Sequence, residues 1–164
     1  MSFKITGSGS FIPSVVENND GFLKNFFCDE SGTGFDVDNQ TIINKFNSIT
    51  GIVERKYISS DLTTSDIAFQ AAKNAIKDAD TDPETLDYII VAHNFGDITC
   101  NSNQVDTLPS LASRVKSKLK IKNPECVAYD ILFGCPGWVE GMIQAQAFMK
   151  AEMAKKLINL EQDI

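Results

Sequence analysis

The sequence predicts an α/β domain whose mixed, mostly parallel sheet carries helices on both faces, and three observations lead there. Two apolar runs, at residues 87–93 and 126–132, read as buried strands. Amphipathic helical patterns stand before, between and after them. Strand and helix therefore alternate, which is the pattern of parallel strands joined by helical crossovers.

Residues 3–12 alternate apolar with small or polar side chains and read as a first strand, with glycines that let another backbone approach closely; Pro13 ends it. Phe22, Phe26 and Phe27 fit one face of a short helix, followed by a loop over roughly 28–38. Ile42, Ile43, Phe46 and Ile49 recur at helical spacing up to Gly51, predicting a second short helix. Thr63 and Asp66 form a capping-box pair, and Ala68, Ala72, Ala75, Ile76 and Ala79 then fall on one stripe. So many alanines imply a helix lying flat on a sheet. Asp82, Pro83 and Glu84 predict a single turn before the strand at 87–93. Thr107 and Pro109 introduce a helix with Leu111, Val115 and Leu119 on one face, and a last helix is expected from about 136 to 155.

Composition excludes several function classes. With 164 residues and 43% hydrophobic content the chain is long enough for one sizeable core. Fifteen basic against 22 acidic residues leave a charge of −7, with no basic cluster to track a phosphate backbone, so nucleic acid is not an expected partner. No apolar run approaches the roughly 20 residues that span a bilayer, and the N-terminus lacks a signal-peptide core, so no membrane partner and a cytoplasmic location are expected. The four cysteines, at 28, 100, 126 and 135, contain no C-x-x-C pair and read as reduced thiols.

The chemistry-bearing segment is Asp130-Ile131-Leu132-Phe133-Gly134-Cys135-Pro136-Gly137-Trp138. The step from strand to helix puts Cys135 at or beside a helix N-terminus, where free N–H groups and the positive end of the macrodipole favour a thiolate. Gly134 and Gly137 leave room for a bulky substrate and let N–H groups face an oxyanion. Pro136 suits the first helical position. The plain structural reading is that such a turn carries Gly and Pro for geometry alone, and the thiol is then only a small hydrophobe.

That segment resembles the Asp-x-x-x-x-Cys-x-Gly-Phe signature around the acylated cysteine of the β-ketoacyl-acyl carrier protein synthase III family. Residues 5–13, Thr50-Gly51-Ile52-Val53-Glu54-Arg55 and 65–94 resemble, in the same order, that family's first strand, its Thr-Gly-Ile-x-Glu-Arg segment and its next helix and strand. The resemblance implies a thiolase-like N-terminal half over residues 1–156. It implies a cysteine acylated by a thioester, then attacked by the carbanion of a decarboxylating malonyl group, in fatty acid or polyketide-type biosynthesis. Cys135 is then the catalytic residue. Phe133, Gly134, Gly137, Trp138 and Leu108 are the substrate-binding residues, Leu108 matching a position that reaches into a partner's acyl pocket. No cofactor or metal is expected, acyl-CoA or acyl-acyl carrier protein being substrates. Acyl carrier protein and either a second copy or a complementary C-terminal half are the implied partners.

The chain also departs from that pattern. The family's His and Asn for decarboxylation lie in a C-terminal half that this sequence does not contain, so the chain alone is expected to be catalytically incomplete. His93, the sole histidine, does not match the catalytic one and reads as a structural residue at a strand end. Asn94 falls where related hydroxymethylglutaryl-CoA synthases carry an acid, which disfavours that activity. Lys45-Phe46-Asn47-Ser48-Ile49 replaces the Trp and Arg that help hold coenzyme A, which points to another acyl donor. Residues 157–164 read as a divergent, polar, helix-compatible tail in place of the family's next strand, as in a truncated gene, a fragment or a short paralogue. The alternative function is a truncated, non-catalytic dimerisation or interaction module derived from such an enzyme.

Overall fold

A computed structural model describes residues 3–162. In chain order the elements are β1 (Val15–Asn18), α1 (Asn39–Thr50), β2 (Glu54–Tyr57), α2 (Thr64–Asp78), β3 (Tyr88–His93), α3 (Leu111–Lys118), β4 (Val127–Leu132), α4 (Gly137–Lys150) and β5 (Leu157–Gln162). They fall into two compact units. One is Ile12–Ser59, and the other joins the chain up to Phe11 with the chain from Ser60 onward.

In the smaller unit, β1 and β2 pair antiparallel from Val15↔Tyr57 to Asn18↔Glu54. Helix α1 starts where the Asp38 carboxylate accepts from the Thr41 N–H at 2.9 Å and stops at left-handed Gly51. The expected helix around Phe22 is a 3-10 turn over Asn19–Lys24. Only Phe22 lies within it, and the three phenylalanines have different surroundings. Phe22 lies under the Arg55 guanidinium, Phe27 packs edge-on against Phe46, and Phe26 is exposed.

The larger unit is built around β3, which pairs in parallel with β4 on one side and β5 on the other. Ile89, Ile90 and Val91 are wholly buried, as the unbroken apolar run predicts for a central strand. Each contributes about 1.5–3 kcal/mol of burial. Alternation sends Ile89 and Val91 to the face that holds Ala68 and Ala72 of α2 and Leu111 and Val115 of α3. Ala92 points to the opposite face, under α4. The predicted capping box is present, with the Thr63 N–H donating to Asp66, and Lys118 of α3 donates to the same carboxylate.

Two expectations are corrected here. Residues 3–11 are not a strand; they run along α2, where the Ser8 N–H donates to Asp78 and the Asn74 amide donates to the Ser10 carbonyl. Their glycines do serve close approach, since a Cβ on Gly7 would stand 2.5 Å from the Ala79 nitrogen. The outer part of the alanine stripe therefore meets backbone rather than sheet. Residues 157–162, expected as a polar tail after residue 156, form β5 instead. Ile158 and Leu160 alternate into the core, and Asp87 clamps the entry by accepting from the Lys155 and Lys156 N–H groups at 2.6 and 2.9 Å. Pairing with β3 overrides the helical propensity of the neighbouring polar residues. Helix α4 accordingly ends at Lys150, short of 155.

Candidate functional site

The thiol of Cys135 lies at the end of the sheet where β3 and β4 finish. The Phe133 N–H donates to the His93 carbonyl at 3.2 Å, extending the pairing of β4 with β3 by one bond. The chain then turns, and the Gly137 N–H donates to the Gly134 carbonyl at 2.8 Å. Pro136 is the cap residue of α4 and not its first helical residue, so Cys135 stands one position before the cap, exposed to solvent. It faces the end of a helix whose first N–H groups have no partner within the helix. Glu140 in that first turn adds a carboxylate to the same end, tied to Gln144 and through it to the Tyr129 hydroxyl.

The two flanking glycines differ. At Gly134 an added Cβ would meet nothing within 4 Å, which fits an open approach to the thiol. At Gly137 it would come 2.7 Å from the Ala92 Cβ, so this glycine is needed to bring α4 down onto β3 rather than to admit substrate. Phe133 and Trp138 are both exposed, the Trp138 carbonyl accepting from the Asn159 amide of β5 at 2.8 Å. Leu108, 82% exposed, lies in the loop leading to α3.

What organises this end of the unit is Asp130, which the sequence reading quoted without a role. Its side chain is 11% exposed and accepts three hydrogen bonds, from the Leu111 N–H at 2.7 Å, the Ala112 N–H at 2.8 Å and His93 Nε2 at 3.0 Å. A strand carboxylate thus caps a helix from another part of the chain. The Gly96 N–H donates to His93 Nδ1 at 2.9 Å, so that nitrogen offers its lone pair and the proton sits on Nε2, directed at Asp130. His93 is 2% exposed and fully engaged, in keeping with a structural role, while Asn94 is exposed. The available signal was a charged residue inside an apolar run expected as a buried strand, where a carboxylate requires partners; the run is in fact β4, an edge strand among the described residues, half-buried along its middle. Asp130 ties the strand leading to Cys135 to the helix following Leu108.

Cys28 and Cys100 are exposed as well, and Cys126 is buried. Burial pushes the Cys126 thiol up despite the nearby Lys116 ammonium. Limited alkylation with peptide mapping is expected to label Cys135 first, because it alone adjoins a helix N-terminus, and Cys126 last. Labelling of Cys28 or Cys100 with Cys135 untouched contradicts the site. Among the described residues no group of three or more His, Cys, Asp or Glu is placed to hold a metal, and no helix is long and apolar enough to cross a membrane.

No family model matches the chain. It is similar to β-ketoacyl-[acyl-carrier-protein] synthase III 1 of Vibrio parahaemolyticus, 35% identical over 163 residues, covering 99% of this chain and 44% of that protein. The synthase III of Caldanaerobacter subterraneus is 33% identical over 154 residues, with 94% and 40% covered. The crystal structure of 3-oxoacyl-[acyl-carrier-protein] synthase III from Aquifex aeolicus superimposes with a TM-score of 0.72 at 29% identity, over 96% of this chain and 44% of that one. The chain spans less than half the length of the curated relatives it matches.

Proposed function

Because the chain corresponds in sequence and fold to the N-terminal half of a β-ketoacyl-acyl carrier protein synthase III-like, thiolase-fold enzyme, we propose that it is the thiol-bearing part of an acyltransferase in which Cys135 accepts the acyl group. The observation that carries this reading is the exposed thiol one residue before the cap of α4, in an Asp-x-x-x-x-Cys segment. In the proposed step the Cys135 sulfur attacks a thioester carbonyl, a new carbon–sulfur bond forms, and the donor thiol departs carrying the proton that Cys135 gave up. N–H groups of the turn and first helical residues receive the oxyanion. Phe133, Trp138 and Leu108 offer apolar surface to the acyl chain. Gly134 keeps the approach open, and Gly137 acts by seating the helix.

The donor in this reading is an acyl thioester, with acyl carrier protein as partner, in fatty acid or polyketide-type synthesis in the cytoplasm. Condensation with a malonyl thioester would draw its remaining groups from a complementary half. Intact-protein mass spectrometry after incubation with acyl-CoA or acyl-acyl carrier protein tests the first step. One acyl mass is expected, mapped to Cys135 and absent from Cys135→Ser. Acylation at another cysteine, or none with either donor, contradicts the assignment.

A second reading, a non-catalytic interaction module, is favoured by one observation. Cys135 lines neither a cleft of about 540 Å³ nor one of about 250 Å³, and Leu108, Leu132 and Val139 are exposed. Such a surface suits coverage by a second copy or a complementary half, as in a dimer. A chain that associates yet takes up no acyl group would support this reading.

A further inference from the structure

The loop of residues 94–110 joins β3 to α3, and an ordered connection of that length in a compact domain is usually functional. It leaves the same end of the sheet as the turn that carries Cys135, since the Phe133 N–H donates to the carbonyl of His93, the last residue of β3. Arg114 of α3 grips this loop with three nitrogens of its guanidinium. Nη1 donates to Asp97 at 3.0 Å, Nη2 to Asp106 at 2.8 Å, and Nε to the Pro109 carbonyl at 2.9 Å. Backbone closes the neck of the loop as well, where Asp97 and Asp106 exchange N–H···O bonds of 2.8 and 2.9 Å. Asp97, 6% exposed, also accepts from the Ser65 N–H of α2 at 2.6 Å, so the brace is anchored on two helices. Its outer end meets Leu108 from both sides. Pro109 follows Leu108, and the Arg114 guanidinium, with the Leu108 N–H, holds the Asp106 carboxyl below the usual carboxylate range. Leu108 is thus fixed by its backbone while its side chain stays bare. Such a residue is preorganised, because it loses little freedom when a ligand covers it.

We propose that Arg114 is a positioning residue that holds Leu108 for the acyl chain, so that the Asp97–Arg114–Asp106 brace sets which chain lengths Cys135 accepts. The proposal rests on the acyl-acceptor reading of Cys135 and deepens it. A leucine held in place rewards a chain long enough to cover it and adds nothing to a short one, so discrimination grows with chain length. On a loose loop the same leucine must first be ordered, and that cost offsets much of the gain. The guanidinium suits this role because its planar fork meets two carboxylates and a carbonyl at once, which an ammonium cannot match. Arg114 acts through the loop and not on the reacting atoms. Whether Leu108 meets the acyl chain on its own copy or on a second one, the same brace holds it.

The test offers the full chain an equimolar mixture of butyryl and decanoyl thioesters, on coenzyme A in one series and on acyl carrier protein in another. Both acyl masses on Cys135 are read in one spectrum. Loss of folded protein lowers the two masses alike, so their ratio reports the placement of Leu108 and not stability. The unaltered chain is expected to favour decanoyl. Leu108→Ala should lower the ratio about fivefold or more, and Arg114→Gln by nearly as much. Asp106→Asn, at a side chain 56% exposed, loosens one arm without disturbing the core and should lower it about twofold. Arg114→Gln should have no further effect once Leu108 is alanine, as expected when one residue acts through the other. Hydrogen exchange at the Asp97 and Asp106 amides, slow in the unaltered chain and faster in Arg114→Gln and Asp106→Asn, reads the brace without any acyl chemistry. An unchanged ratio in both of those variants, or in Leu108→Ala, overturns the proposal and leaves Cys135 as the acyl acceptor. So does an effect of Arg114→Gln that persists in the Leu108→Ala background, or fast exchange at both amides in the unaltered chain. No acyl mass on Cys135 of the unaltered chain from any of the donors overturns the acyl-acceptor reading and this proposal with it.

Discussion

Supplied with an acyl thioester and malonyl-acyl carrier protein, the 164-residue chain is expected to gain an acyl mass on Cys135 and to release no carbon dioxide above background. The two steps ask for different groups. Acyl transfer needs an accessible sulfur and N–H donors near its carbonyl, which the turn before α4 offers. Decarboxylation also needs donors on the malonyl thioester carbonyl, so that charge developing on carbon passes to oxygen as carbon dioxide leaves. In the resembling family those donors are a His and an Asn from another half. The sole histidine here, His93, has both ring nitrogens engaged, by Gly96 and Asp130, and is buried. Loss of one such donor costs on the order of 10²–10³ in rate, so loss of two is expected to leave turnover at background. Trapping of labelled carbon dioxide, followed beside intact-protein mass spectrometry, separates the steps. Sustained condensation by this chain alone would refute the expectation, and retention of that activity in Asn94→Ala would further clear the exposed neighbour of His93.

The second large effect is expected at Asp130. Asp130→Ala removes one carboxylate and strands three donors at once: two N–H groups of the first turn of α3 and the Nε2–H of a histidine only 2% exposed. Leaving buried donors without acceptors costs more than the net value of the bonds themselves, and a loss of about 3–5 kcal/mol is expected. Asp130→Asn keeps one acceptor oxygen of similar shape and should lose roughly half as much, of the order of 2 kcal/mol. Urea unfolding gives the measurement, with the midpoint falling and the slope unchanged. An unfolding free energy for Asp130→Ala within about 0.5 kcal/mol of the unaltered chain, the usual range for surface changes, would mean that water replaces the carboxylate and that the cap is not needed. Hydrogen exchange at Leu111 and Ala112 should rise before that of β3, since the cap fails locally before the sheet opens.

Much of the larger unit was legible from residue order because its signals are local. The run at 87–93 is apolar on both faces, so it had to be a central strand wherever its neighbours lay. The capping box at Thr63 and Asp66 involves residues three apart, and its geometry depends on nothing distant. Cys135 between a strand and a helix follows from two adjoining periodicities, which is why the thiol falls within one residue of the helix cap, next to where the sequence puts it. The miss at Pro136, a cap residue instead of the first helical residue, is the ordinary uncertainty of helix ends.

The sequence by itself determined the alternation of strand and helix, the central strand and the position of the thiol. Tertiary structure decided the rest. Whether residues 157–162 formed a strand depended on an open edge of β3, 69 positions or so earlier in the chain, and on Asp87 holding their entry. Whether residues 3–11 formed a strand depended on a neighbour to pair with, and α2 took them first through Asp78 and Asn74. The role of Asp130 depended on which donors the fold would bring to it, one from the end of β3 and two from the start of α3. Periodicity encodes which face of an element is apolar, but hydrogen-bond partners across the fold are chosen only when the elements meet, and no local pattern carries that information.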